Sequence, residues 1–158
     1  MKLNHRIEYD AGTDEVHAML MDIAFREEVC ERQKVLDYTI SIEETDDAWV
    51  VDVNQLQSTA GAPGVVQKVV GSSIGVHKVE TWRSTSHADL TVLVPGKPAA
   101  LHGSITLAAR GGRTVQTITG DVKVKIPLVG GALEQFVARL LVIAYDKEIE
   151  AGRDYLGR

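Results

Sequence analysis

The sequence predicts an α+β fold in which a curved antiparallel sheet of about seven strands wraps a long C-terminal helix, with two short helices after the first strand. Three observations lead there. Near the amino end the apolar period switches from two to helical spacing. Between Leu36 and Ile126 the chain reads as strand after strand, broken only by short turn-like stretches. Finally, "VKVKIPLVGGALEQFVARLLVIAYDKEIEAGRDYL" passes from alternation through Pro127 into an unbroken helical pattern.

Leu3, His5, Ile7 and Tyr9 alternate with Lys2, Asn4, Arg6 and Glu8, the pattern of a strand with one face inward. Thr13 and Asp14 suit a helix N-cap, and Val16, Met19, Leu20 and Ile23 follow at helical spacing. Phe25 and Val29 continue in a second short helix to about Arg32. Strands are then expected over Leu36 to Glu44, Ala48 to Leu56, Ser73 to Arg83, Ala88 to Val94, Ala99 to Ala109 and Thr114 to Ile126. The breaks "TDD", "STAGAPG", "STS", "PGKP" and "RGGR" are short enough to make neighbours antiparallel. Val65 to Gly71 reads equally as a strand or a helical turn. In the last strand Ile118, Val122, Val124 and Ile126 share a dry face with Gly120, opposite Thr117, Thr119, Asp121, Lys123 and Lys125. The terminal helix, expected from about Leu128 to Gly152, gathers Leu133, Val137, Leu140, Leu141 and Ala144 on one side, opposite Gln135, Arg139, Asp146 and Glu150. Leu133, Val137, Leu141 and Ala144 are expected to touch the sheet.

Geometry constrains how these pieces meet. A helix of that length is roughly 37 Å long and about 10 Å wide, whereas seven strands make a sheet about 30 Å across. One helix cannot roof that sheet, so the sheet must curl around it. With only 5% aromatic residues, incomplete filling of the space between them is expected.

The chain has the size of one domain, taken as residues 1–158, and at 44% hydrophobic and 25% charged it has a globular composition. A net charge of -5 argues against a nucleic-acid surface. No apolar run approaches the roughly 20 residues of a membrane span, which argues against integral membrane association. The lone Cys30 has no partner for a disulfide, and "MKLNHRIEYD" lacks the apolar run of a secretory signal, so the expectation is a cytoplasmic protein.

The order of elements resembles the helix-grip fold of the START-like (SRPBCC) superfamily, which includes the birch-pollen allergen group and polyketide cyclases. "VETWR" (Val79 to Arg83) and "VKVKIPLVGGALE" (Val122 to Glu134) are similar to segments of an actinobacterial branch of that superfamily. The resemblance implies a deep apolar cavity between sheet and terminal helix, of the kind used for lipids, sterols, polyketides or plant hormones. It brings no catalytic motif.

The five histidines, at positions 5, 17, 77, 87 and 102, form no close pair, and no GxSxG elbow, P-loop or GxGxxG fingerprint occurs, so neither a metal nor a cofactor is expected. Gly130 and Gly131, in the first turn of the long helix, could hold an anion there, but more simply let the helix approach the sheet. Three polar residues stand on faces expected to be buried: His5 among Leu3, Ile7 and Tyr9, Gln55 after Trp49, Val51 and Val53, and Glu148 in the apolar arc of the helix. As ligand contacts they would orient the polar end of a bound molecule. Structurally, His5 and Gln55 could satisfy one another, and Glu148 could sit where the helix emerges into water. Tyr38 and Tyr145 would bury their rings with hydroxyls at an edge. The expected walls are aliphatic, with Ile7, Ile40, Val51, Leu90 and Val92 joined by Ile105, Leu107, Ile118 and Val122, and Leu141 above them. They suit a fatty-acyl or isoprenoid-like molecule. A carrier or sensor for an apolar small molecule is therefore the first reading. A cyclase-like or hydrolase-like enzyme with His5 or Glu148 as general base is the alternative, disfavoured because ionisable groups look isolated. A partner surface at the sheet edge or at Val142 and Ile143, as in a homodimer, is a third.

Overall fold

A computed structural model describes residues 1–157. The chain begins in β1 (Lys2–Tyr9), and α1 (Thr13–Leu20) and α2 (Ile23–Gln33) then carry it to the far edge of the sheet at β2 (Asp37–Glu44). From there β3 (Trp49–Ser58), β4 (Ser73–Trp82), β5 (His87–Leu93), β6 (Ala99–Arg110) and β7 (Arg113–Val124) return strand by strand, until β7 lies against β1. The order is β1-β7-β6-β5-β4-β3-β2, antiparallel at every step. Val65 to Gly71 resolves as a short helix, α3 (Gly64–Val70), entered at Pro63. The expected cap at Thr13 or Asp14 is displaced: Gly12 caps α1 with no side-chain bond, whereas Asp22 caps α2 by accepting from the Ala24 N–H at 2.9 Å.

Turn chemistry sets the hairpins. Between β6 and β7, Gly111 and Gly112 hold φ of 59° and 79°, the paired left-handed conformation of a two-residue hairpin, with Arg110 opposite Arg113. Farther along the same pair Gly103 faces Gly120, and a methyl group on Gly103 would fall onto the Thr119 carbonyl oxygen. Only bare backbone permits so close an approach where the sheet curves around the helix.

The long helix is α4 (Gly130–Leu156). It starts later than expected because Pro127 and Leu128, the latter at φ 70°, lie outside it, and it runs on past Gly152. Gly130 packs against the Val124 carbonyl, where a Cβ would come within 2.8 Å, so close approach accounts for this glycine; Gly131 faces open space. Gly152 lets the helix pass the buried Tyr9 ring. Leu133, Val137 and Leu141 are buried in the core shared with the sheet. Ala144 is a correction: it is half-buried, and Gln33 of α2 donates to its carbonyl at 3.4 Å. The helical arc that goes inward continues instead through Tyr145 and Glu148.

Leu141 is 6% exposed, so Leu141→Ala is expected to cost about 2–4 kcal/mol in urea titration. Arg139→Ala, on the exposed side, should stay within about 0.5 kcal/mol. Equal small effects would mean that the inward face of α4 is misassigned.

Candidate functional site

The inner face of β4 carries Ile74, Val76, Lys78, Glu80 and Trp82, because alternation puts every even residue on one side. That places two charged groups in the grip between sheet and helix. Arg26 of α2 meets them there, since it shares its helical arc with the buried Val29 and Cys30. The Arg26 guanidinium donates both terminal nitrogens to Glu80, Nη1 to Oε2 at 2.9 Å and Nη2 to Oε1 at 2.8 Å, and its Nε donates to the Leu20 carbonyl at 2.8 Å. Trp82 Nε1 adds a donor to Glu80 Oε1 at 3.0 Å, and Lys78 Nζ lies 3.2 Å from Oε2. A carboxylate with this many donors is held firmly.

Glu148 descends from α4 onto the same group. Its Oε1 is 3.5 Å from Arg26 Nη1, its Oε2 accepts from Gln116 Nε2 at 3.1 Å, and its backbone carbonyl accepts from the Tyr9 hydroxyl at 3.4 Å. Tyr145, one turn earlier, is buried with its hydroxyl unpartnered, and Lys78 Nζ stands 5.6 Å from its ring centroid. The carbonyl oxygen of the Gln116 side chain is likewise buried and unpartnered.

The two carboxylates are driven apart. Burial pushes the Glu80 carboxyl up, but the Arg26 and Lys78 charges, with the Arg26 and Trp82 hydrogen bonds, outweigh it and bring its pKa to about 2. For Glu148 burial prevails: Arg26 and Lys78 pull down, Glu80 adds repulsion, and the carboxyl lies above its ordinary value. Burial, reinforced by Glu80 and Glu148, keeps the Tyr145 phenol neutral. The site therefore offers one permanent carboxylate, one more easily protonated carboxyl and one open phenolic donor.

Of the residues singled out from sequence, His5, Tyr145 and Glu148 fall on this side of the grip. His5 stacks on Tyr145 with centroids 6.1 Å apart, and its Nε2 comes within 3.4 Å of Asp146 without hydrogen-bonding geometry. The suggested mutual satisfaction of His5 and Gln55 does not occur: Gln55 Nε2 donates to Gln33 Oε1 at 2.8 Å and to Cys30 Sγ at 3.2 Å. Nor does Glu148 emerge into water, being 2% exposed. Tyr38 donates its hydroxyl to Glu31 at 2.6 Å and, with Gln55, borders a shallow recess of about 300 Å³ on the β2–β3 hairpin. Leu90, Ile105 and Ile118 are buried in the core with Leu141. The interior is not the aliphatic space expected, because Arg26, Glu80, Gln116 and Glu148 are buried within it.

Arg26, Lys78, Glu80 and Gln116 escaped the sequence reading, although a signal was present. Glu80 shares parity with Ile74, Val76 and Trp82, and Gln116 with Ile118 and Val122. Arg26 lies three and four residues before Val29 and Cys30.

Against known proteins, the chain is similar in structure to TTHA0849 from Thermus thermophilus, at 15% identity and a TM-score of 0.66, covering 98% of this chain and 95% of that one. A START superfamily protein from Mycobacterium smegmatis is similar at 12% identity and a TM-score of 0.63, covering 98% of each chain. The di-domain ARO/CYC StfQ from the steffimycin biosynthetic pathway is similar at 11% identity and a TM-score of 0.63, covering 97% of this chain and 50% of that one. These likenesses establish the START-like fold expected from the order of elements. No curated protein matches the chain. Among the described residues no helix is long and apolar enough to cross a membrane. Residues 4–156 match the family described as "Protein of unknown function (DUF2505)", and the chain belongs to that family.

Proposed function

We propose that the protein binds an amphipathic small molecule, fatty-acyl or isoprenoid-like, between the sheet and α4, as a carrier or sensor. The observation that carries this reading is the Tyr145 hydroxyl, sealed at 2% residue exposure within reach of the Glu80 and Glu148 charges and with no hydrogen-bond partner. A buried polar group left unsatisfied costs about 1–3 kcal/mol, and a ligand's polar end would remove that penalty. His5, on the Tyr145 ring, and Glu148 lie beside that end, while Leu90, Ile105, Ile118 and Leu141 are packed against the core beneath α4 and would have to part to give the body apolar surface. Tyr38, Ile40 and Ile42 on the inner face of β2 are only half-buried, so the grip is less tightly closed along that edge, where Gln55 also stands. Entry from that side fits the apolar body. The START-like fold supports the reading at the level of fold.

The test combines native mass spectrometry for a co-purified lipid with parallel titration of a fluorescent fatty acid and an aromatic polyketide. Tyr145→Phe is expected to leave stability unchanged or slightly raised, since it deletes an unsatisfied hydroxyl, while weakening fatty-acid binding about tenfold, the worth of roughly one hydrogen bond. Preference for the polyketide, or equal binding by the variant, would defeat the reading.

A second reading, a cyclase-like enzyme, gains from the convergence of ionisable groups that the sequence did not reveal. In it Glu148, the more easily protonated carboxyl, would move the proton while the Arg26-bound Glu80 stays charged. Turnover of a bound polyketide, stopped by Glu148→Gln while binding persists, would carry this reading over the first.

A further inference from the structure

The opposite, outer face of the sheet carries a second feature, independent of the interior. Beside the β5–β6 hairpin a groove of about 640 Å³ opens, floored by Leu93, Pro98 and Ala100 and ringed by Lys97, Lys123 and Lys125. This volume lies within the roughly 300–1,000 Å³ typical of small-molecule sites. Three lysines around one concavity stand out in a chain of net charge -5. Asp121 is the one carboxylate lining the groove, and it is already engaged by the Met1 ammonium at 3.2 Å, Lys2 at 3.3 Å and Lys123 at 3.7 Å. Lys97 and Lys125 have no carboxylate within ion-pair distance among the described residues.

The backbone keeps these cations together. The Lys97 N–H donates to the Val94 carbonyl at 3.0 Å, closing the hairpin tip, and the Lys125 N–H donates to the Pro98 carbonyl at 2.9 Å, tying the end of β7 to that tip. These two backbone bonds fix the Lys97 and Lys125 side chains to one rim, so an anion in the groove is attracted by both. His102 on the groove wall adds an imidazole for hydrogen bonding. The apolar floor separates this arrangement from a plain phosphate site, and the recessed shape separates it from a flat surface for a membrane.

We propose that the groove is a binding site for a small organic anion carrying a compact apolar body. The lysines supply the charge attraction, and Leu93, Pro98 and Ala100 bury the body. The test is amide NMR titration with 2-naphthoate, 2-naphthalenemethanol and inorganic phosphate in parallel, with a sedimentation assay on phosphatidylglycerol vesicles. Naphthoate is expected to move the amides of Ala100, His102 and Lys123, with the neutral alcohol and phosphate each binding more weakly. The double variant Lys97→Glu/Lys125→Glu should weaken naphthoate about tenfold with its melting temperature unchanged, and raising salt from about 0.05 to about 0.5 M should weaken it in the wild type. Naphthoate binding that is unaltered in the double variant, or shifts confined to interior residues such as Tyr145, would overturn the proposal. Phosphate binding as tightly as naphthoate would remove the apolar body from it. Lysine-dependent sedimentation with vesicles and no naphthoate shifts would assign the face to a membrane instead.

Discussion

Arg26→Met is expected to destabilise the protein by about 3–5 kcal/mol, among the largest effects of any single substitution, because it leaves the Glu80 carboxylate buried without its bidentate partner. Glu80 is 1% exposed, so water cannot take over the lost contacts. The double variant Arg26→Met/Glu80→Gln removes the carboxylate charge that Lys78 and Trp82 alone would then hold, keeps an acceptor for Trp82 Nε1, and should recover most of the loss. The pH dependence provides a separate check. The folded Glu80 pKa of about 2 lies below the ordinary value of 4.5, so its contribution is fully present above about 4.5 and fades as pH falls toward about 2. Urea titrations of wild type should show this acid loss, and the double variant should lack that part of it. A cost under about 1 kcal/mol for Arg26→Met, or an unchanged acid slope in the double variant, would show that this pair is not what the interior is built on.

Gly103→Ala should be nearly as damaging, costing about 3 kcal/mol or more, at the upper end of overpacking effects. The added methyl meets backbone, the Thr119 carbonyl oxygen, rather than the end of a flexible side chain, so β6 and β7 must separate to admit it. Gly131→Ala is the control: nothing lies within 4 Å of its Cβ position, and replacing a helical glycine by alanine is expected to stabilise by about 0.5–1 kcal/mol. Opposite shifts in thermal melts are expected. A melting temperature for Gly103→Ala within error of wild type would mean that the β6–β7 approach relaxes easily and does not set the sheet's curvature.

The division between the legible and the hidden follows from the range of the forces. Element type and order were legible because they depend on local periodicity: alternation from Leu3 to Tyr9, the helical arc through Leu133, Val137 and Leu141, and the breaks at Pro127 and "RGGR" are written into neighbouring residues. The ends were less so. Lys125 leaves β7 to bond Pro98, and α4 continues through Gly152 because Tyr9 packs there, and neither partner is near in sequence.

The candidate site was hidden for the same reason, more strongly. Parity alone assigns Glu80 and Gln116 to the inner face, and helical spacing assigns Arg26 inward, yet each in isolation reads as a polar residue to be explained away. Their meaning arises only when strand order β1-β7-β6-β5-β4-β3-β2 and the crossing of α2 bring residues 54 and 122 positions apart into contact, Arg26 with Glu80 and with Glu148. The sequence by itself determined that a sheet would close on a helix, since amphipathic period is local. Only the tertiary structure decided that the closed space would be charged, because a buried ion pair exists by virtue of distance between groups and is invisible in either one alone.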